Sequence, residues 1–152
     1  MRRNGFALAR RAGVVEVTVT ARAAVPLDQA WTWWTDYGEP GEWERSDHGF
    51  GKGWRRVTSH TDNVWTLEER ALFPRSTFRR TVELYAAEHR ISDVLEWPAR
   101  QRTEWRFAAD GDGTRITRVL RASRASAWLT KMISQRDLDF HVKELQRALA
   151  RG

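Results

Sequence analysis

The chain has 152 residues, 41% of them hydrophobic, with nine Trp, six Phe and two Tyr. That is enough to pack one domain and too apolar for disorder throughout. It contains no Cys, which excludes a disulfide framework and thiolate chemistry. The net charge of +6 comes from 26 Lys and Arg set against 20 Asp and Glu. These charges are intermixed along the chain, which reads as a solvated basic surface rather than a nucleic-acid-binding stripe.

Residues 1–13 carry Arg2, Arg3, Arg10 and Arg11 around a short apolar run, Phe6 to Ala9. That run is too short for a signal peptide and far below the ~18–20 residues of a membrane span. We read 1–13 as a flexible basic arm, 14–152 as a single domain, and the protein as cytoplasmic.

From residue 14 the chain alternates, with Val15, Val17, Val19 and Ala21 on one face and Glu16, Thr18, Thr20 and Arg22 on the other. This is the period of a half-buried strand. Pro26 then opens a helix, where its missing N–H costs nothing, and Asp28 in the first turn suits the helix dipole. Leu27, Ala30, Trp31 and Trp34 form its apolar stripe, and Gly38, Pro40 and Gly41 end it. A short helical turn is expected near Glu42 to Arg45. Six strand-like runs follow, at 54–60, 64–73, 76–85, 89–97, 103–109 and 114–122. Turn residues separate them, the strongest being Asp110-Gly111-Asp112-Gly113. Short connections make this an antiparallel meander. A helix from about 126 to 150 closes the chain, with Leu129, Met132, Ile133, Arg136 and Phe140 on one stripe. Leu138, Val142, Leu145 and Leu149 lie on an adjoining face.

The order of elements, with Pro26, Trp31, Asp36 and Trp43 in and after the first helix, resembles the START-like superfamily. This group is also called SRPBCC or Bet v 1-like, and includes the polyketide cyclase/dehydrase family. Gly51 and Gly53 before an Arg-rich strand, Glu68-Glu69-Arg70, Gly113-Thr114-Arg115-Ile116-Thr117 and the closing Lys143-Glu144-Leu145-Gln146-Arg147 carry the likeness further. The resemblance implies an α+β helix-grip fold. A seven-stranded curved antiparallel sheet would wrap a long C-terminal helix, with short helices after the first strand and a hydrophobic cavity between sheet and helix.

Strand alternation then proposes the lining. The expected ligand-facing residues are Trp34, Tyr37, Phe78, Arg80, Val82, Ile91, Asp93, Leu95, Trp105, Phe107, Ile116, Arg118, Leu120, Ile133, Phe140 and His141. Trp31, Trp65, Trp97 and Trp128 are further aromatic candidates, of which most should be core. A buried charge needs a counter-charge, water or a ligand group. Arg80 and Arg118 therefore either hold a ligand's oxyanion or pair with Asp93 or a Glu. Tyr37 either donates a proton or packs. With His141, these are the candidate catalytic groups.

His48, His60, His89 and His141 lack metal-ligand spacing, so no metal is expected. Gly49, Gly51 and Gly53 precede a strand and lack a following Lys-Ser/Thr, so no nucleotide or other cofactor is expected. The leading expectation is a binder of a small hydrophobic ligand, lipid-like or an aromatic polyketide. The alternative is an aromatase/cyclase-type enzyme working by Arg, Tyr and His without metal. A nucleic-acid or acidic-surface binder ranks third. A homodimer is left open.

Overall fold

The computed structural model describes residues 13–72, 75–98 and 100–152. The segment read as a basic arm lies outside them except for Gly13. Eight strands form one antiparallel sheet: β1 (Val14–Ala23), β2 (Glu44–Arg45), β3 (Gly53–Thr61), β4 (Val64–Leu72), β5 (Arg75–Tyr85), β6 (Arg90–Trp97), β7 (Gln101–Asp110) and β8 (Gly113–Ser123). Their spatial order is β1-β8-β7-β6-β5-β4-β3-β2, so the first strand joins the far edge of the meander. Among the described residues two α-helices, α1 (Leu27–Trp34) and α2 (Ala127–Ala150), and a 3-10 turn at Ala86–Glu88 complete the fold. The sheet exceeds the expected seven strands because residues 44–45, read as a helical turn, pair instead with Trp54 and Arg55 of β3.

The meander is pinned by its turns. β7 and β8 meet across Gly111-Asp112, with Asp110 opposite Gly113. Gly111 has φ +62°, the left-handed conformation that the first position of such a two-residue turn demands. β3 and β4 are joined the same way across Asp62-Asn63. One face of the sheet then carries the core. Val17 and Val19 on β1, Ile116 and Leu120 on β8, Trp105 and Phe107 on β7, Ile91 on β6 and Val82 on β5 are all buried there.

α1 begins at Pro26, whose carbonyl accepts the Ala30 N–H at 3.0 Å. It ends where the Thr35 hydroxyl donates back to the Trp31 carbonyl at 2.7 Å. Its rings plug one end of the groove. Trp31 and Trp34 both pack against Phe107, and Trp34 also meets Trp105. α2 lies along the sheet on Ser134, Leu138, Val142 and Leu145. Spacings of four, four and three residues keep these on one face. The stripe expected to pack, Leu129, Met132 and Ile133, is turned to solvent instead. Leu149 is also exposed.

Candidate functional site

Between the sheet's concave face, α1 and α2 lies a cavity of about 390 Å³. Eight of the expected ligand-facing residues line it: Trp34, Tyr37, Arg80, Asp93, Trp105, Arg118, Phe140 and His141. The strand register explains why. Arg118 stands opposite Trp105 across β8 and β7, and Asp93 opposite Val82 across β6 and β5. Arg80 stands opposite Leu67 on β4.

The other eight expected residues do not line the cavity. Val82, Ile91, Phe107, Ile116 and Leu120 share its face but are core, covered by packed neighbours. Phe78 and Leu95 are half-buried beyond it, and Ile133 is exposed on the outer side of α2. Trp97 and Trp128 are also exposed, while Trp31 and Trp65 pack against the core. The aromatic part of the wall is Trp33, Trp34, Tyr37, Trp105 and Phe140.

The lining is more charged than expected. Besides Arg80, Asp93 and Arg118 it contains Arg55, Glu69 and Asp137, with Asp36, Asp47 and Glu144 also on its wall. Asp47 is held by Arg45, and Glu144 by Arg147 at 2.7 Å. Asp36 is exposed, which leaves three guanidinium groups, of Arg55, Arg80 and Arg118, against three carboxylates, of Glu69, Asp93 and Asp137, as the remaining half-buried or buried charges.

Arg80 lies between two acids. Its Nη1 donates to Glu69 Oε1 at 2.9 Å. Its Nε lies 2.9 Å from Asp93 Oδ1, close enough for an ion pair but outside hydrogen-bond alignment. Burial works against the Arg80 charge, yet the attraction of Asp93 and Glu69 outweighs it and raises its pKa above the ordinary range. For Asp93 the balance tips the other way: burial pushes its carboxyl up, against the pull of Arg80.

Arg118 is held loosely. Its Nη1 is 3.7 Å from Asp137 Oδ2, and its guanidinium lies over the Trp105 ring, 4.9 Å from the centroid. Its buried Nε has no hydrogen-bond acceptor among the described residues. Burial lowers its pKa, opposed by Asp137. Tyr37 faces the same space with Arg55 over its ring at 5.5 Å. Burial, with Asp93 adding, raises its phenol well above the ordinary value, so it stands as a neutral O–H.

His141 points its Nδ1 at the Asp137 carbonyl, 2.8 Å away, and Asp137 Oδ1 lies 3.6 Å from the same nitrogen. An Nδ1–H donor there leaves Nε2 as the ring's free acceptor. The Asp137 carboxylate also accepts the Gly49 N–H at 3.2 Å, and Arg136 Nε donates to the Gly49 carbonyl at 3.0 Å. A Cβ at position 49 would meet the Asp137 Cα at 3.0 Å, so glycine is what lets the loop before β3 lie on α2. The loop with Gly49, Gly51 and Gly53 thus closes the cavity's side against the helix.

Glu69, Asp137, Arg55 and Trp33 were missed as site residues. Glu69 has the parity of Leu67 on β4, and Asp137 lies one turn before His141. Both signals were present in the spacing. No cluster of His, Asp or Glu able to hold a metal is found among the described residues. No helix among them is long and apolar enough to cross a membrane.

No protein-family model matches the chain, and no curated protein sequence matches it. Solved structures do. The Zhui aromatase/cyclase from Streptomyces sp. R1128 superposes with a TM-score of 0.64 at 12% identity, over 91% of this chain and 94% of that one. A START superfamily protein from Mycobacterium smegmatis gives 0.61 at 15% identity, over 90% and 97%. An AHSA1-like protein from Aeromonas hydrophila gives 0.60 at 16% identity, over 90% and 94%. At these identities the likeness is one of fold, and it spans nearly the whole of each chain. The chain therefore has the START-like helix-grip fold shared by these aromatase/cyclase, START and AHSA1-like proteins.

Proposed function

We propose that this protein binds one small, flat, mostly apolar molecule in the cavity between sheet and α2, with an uncharged oxygen acceptor on the ligand meeting Arg118. The observation that carries this is that Arg118, whose buried Nε has no hydrogen-bond acceptor among the described residues, lines a 390 Å³ cavity. The volume lies in the range of about 300–1,000 Å³ typical of ligand sites. The aromatic wall suits a ring system. The inner charges already balance, so a carbonyl or hydroxyl head fits better than a carboxylate, which would add an uncompensated charge in a desolvated place.

The test is a calorimetric titration with 2-acetonaphthone and 2-naphthoate, which share a ring and differ in carbonyl against carboxylate, and with hexadecanoic acid as a lipid-like probe. The reading expects saturable one-to-one binding, strongest for 2-acetonaphthone. Absence of binding by all three, with a clean apo mass by native mass spectrometry, would overturn it.

An acid–base enzyme is the second reading. It is favoured by one arrangement: His141 with its free Nε2, the neutral Tyr37 phenol and Arg118 all line one cavity. In such a set His141 Nε2 takes a proton from the carbon beside a ligand carbonyl. Arg118 and Tyr37 donate hydrogen bonds to the enolate oxygen that forms. Loss of turnover in His141→Ala with ligand binding kept is the result this reading requires.

A further inference from the structure

The outer side of α2 carries an apolar surface that nothing among the described residues covers. Trp128, Leu129, Met132 and Ile133 are 69%, 40%, 55% and 42% exposed. Their spacing of one, three and four residues gathers them on the first two turns of the helix. All the buried residues of α2 begin later, at Ser134. This is not a displaced core stripe: it points away from the sheet.

The chain that leads into and through this patch carries charge of one sign, and the first acid beyond it is Asp137, followed by Asp139, which shares a groove with Met132. Residues 121–136 contain Arg121, Arg124, Lys131 and Arg136 and no Asp or Glu. The first turn of α2 has no acidic residue, and Ser126 makes no side-chain capping bond, so the positive end of the helix dipole is also left uncompensated.

We infer that this face docks on the surface of an anionic lipid bilayer. Exposed Trp, Leu, Met and Ile on one side of a helix, rimmed by Arg and Lys, have the chemistry of an interfacial helix that seats shallowly among headgroups. The cations attract the anionic lipid and the tryptophan suits the interface. A second copy of this chain fits less well, because a self-contact would bring two such basic rims together. A folded acidic protein fits less well because four apolar side chains on a convex helix fall far short of the roughly 20–30 residues a side of a stable interface.

The test is co-sedimentation of the full chain with vesicles of phosphatidylcholine, with and without phosphatidylglycerol, at low and high salt. The expected result is binding to the anionic vesicles that high salt weakens. W128S/M132S should weaken that binding at least tenfold and Lys131→Glu about tenfold, each keeping the wild-type 2-acetonaphthone titration and melting temperature. These two controls separate failure of the surface from failure of the fold or the cavity. Three results would overturn the inference. One is no vesicle binding; another is equal binding by wild type and W128S/M132S. The third is a concentration-dependent dimer in sedimentation velocity that W128S/M132S abolishes.

Discussion

Arg80 and Arg118 point into the same cavity from strands of the same sheet, and their surroundings are opposite. Arg80 sits between two carboxylates that outweigh the penalty of burial and raise its pKa. Arg118 has one carboxylate at 3.7 Å, a ring beneath it and an unused Nε, and burial lowers its pKa. Both have a buried Nε without an aligned hydrogen bond, but Arg80 Nε lies 2.9 Å from the Asp93 carboxylate, while the ion pair of Arg118 is made loosely through Nη1. Two like residues on one face thus differ by the acids around each: two carboxylates at 2.9 Å from Arg80 against one at 3.7 Å from Arg118.

The comparison breaks first at stability. Arg80→Met leaves Glu69 and Asp93 facing each other without their cation, and should cost about 3 kcal/mol in urea unfolding. A loss below about 1 kcal/mol would show that the pair of acids is not held by Arg80. Arg118→Met should change stability by no more than about 1 kcal/mol, since its pairing is loose and its burial unfavourable. The same variant should weaken 2-acetonaphthone binding by roughly tenfold or more, the size of a hydrogen bond from a charged donor. Tyr37→Phe sharpens the contrast further. It should leave folding nearly unchanged and lower that affinity about fivefold in the same titration, as a neutral hydrogen bond is worth ~1 kcal/mol.

The smallest effect is at the loop that follows α1. His60 Nδ1 lies 2.8 and 2.9 Å from the two Glu39 oxygens, and its Nε2 lies 2.8 Å from the Asp62 carbonyl. Both ring nitrogens face acceptors, which requires the doubly protonated ring. The ring stacks on Trp65 at 3.9 Å, whose Nε1 donates to the Gly38 carbonyl beside Tyr37. The Glu39 hydrogen bond raises the His60 pKa above its ordinary value. A raised folded pKa contributes stability that is complete below the unfolded value and is lost as pH rises through the folded one. Thermal melts should therefore show a slight loss from mildly acidic towards alkaline pH that Glu39→Gln flattens. An unchanged slope in that variant would remove His60 as the cause.

Most of the sheet is legible in the sequence because alternation and turn chemistry agree. Asp110 to Gly113 pins the last hairpin, and from it the parity of Trp105, Ile116 and Arg118 follows without error. Asp93 and Arg80 keep their inward parity despite a bulge that sets Arg79 against Trp97 and Arg80 against Leu95. The cavity itself is less legible. Parity places Val82, Ile91, Phe107 and Ile116 on the same face as Arg80 and Arg118. Whether a side chain on that face meets space or a neighbour depends on where α1 and α2 settle, which no strand pattern records.

The α2 rotation is likewise invisible to periodicity, since Leu129, Met132 and Ile133 make as good a stripe as Ser134, Leu138, Val142 and Leu145. Glu44-Arg45 is too short to have a period at all. The place of Asp137 on the helix is legible from its spacing to His141, but its pairing with Arg118 is not, because that partner is on a strand far away in the chain.

The division between the two arginines is tested most directly by ¹⁵N NMR of the arginine Nε–H groups during titration with 2-acetonaphthone and hexadecanoic acid. The expected result is that the Arg118 signal shifts to saturation with 2-acetonaphthone while the Arg80 signal barely moves. A shift confined to Arg80, or no shift of either with both compounds, would contradict it.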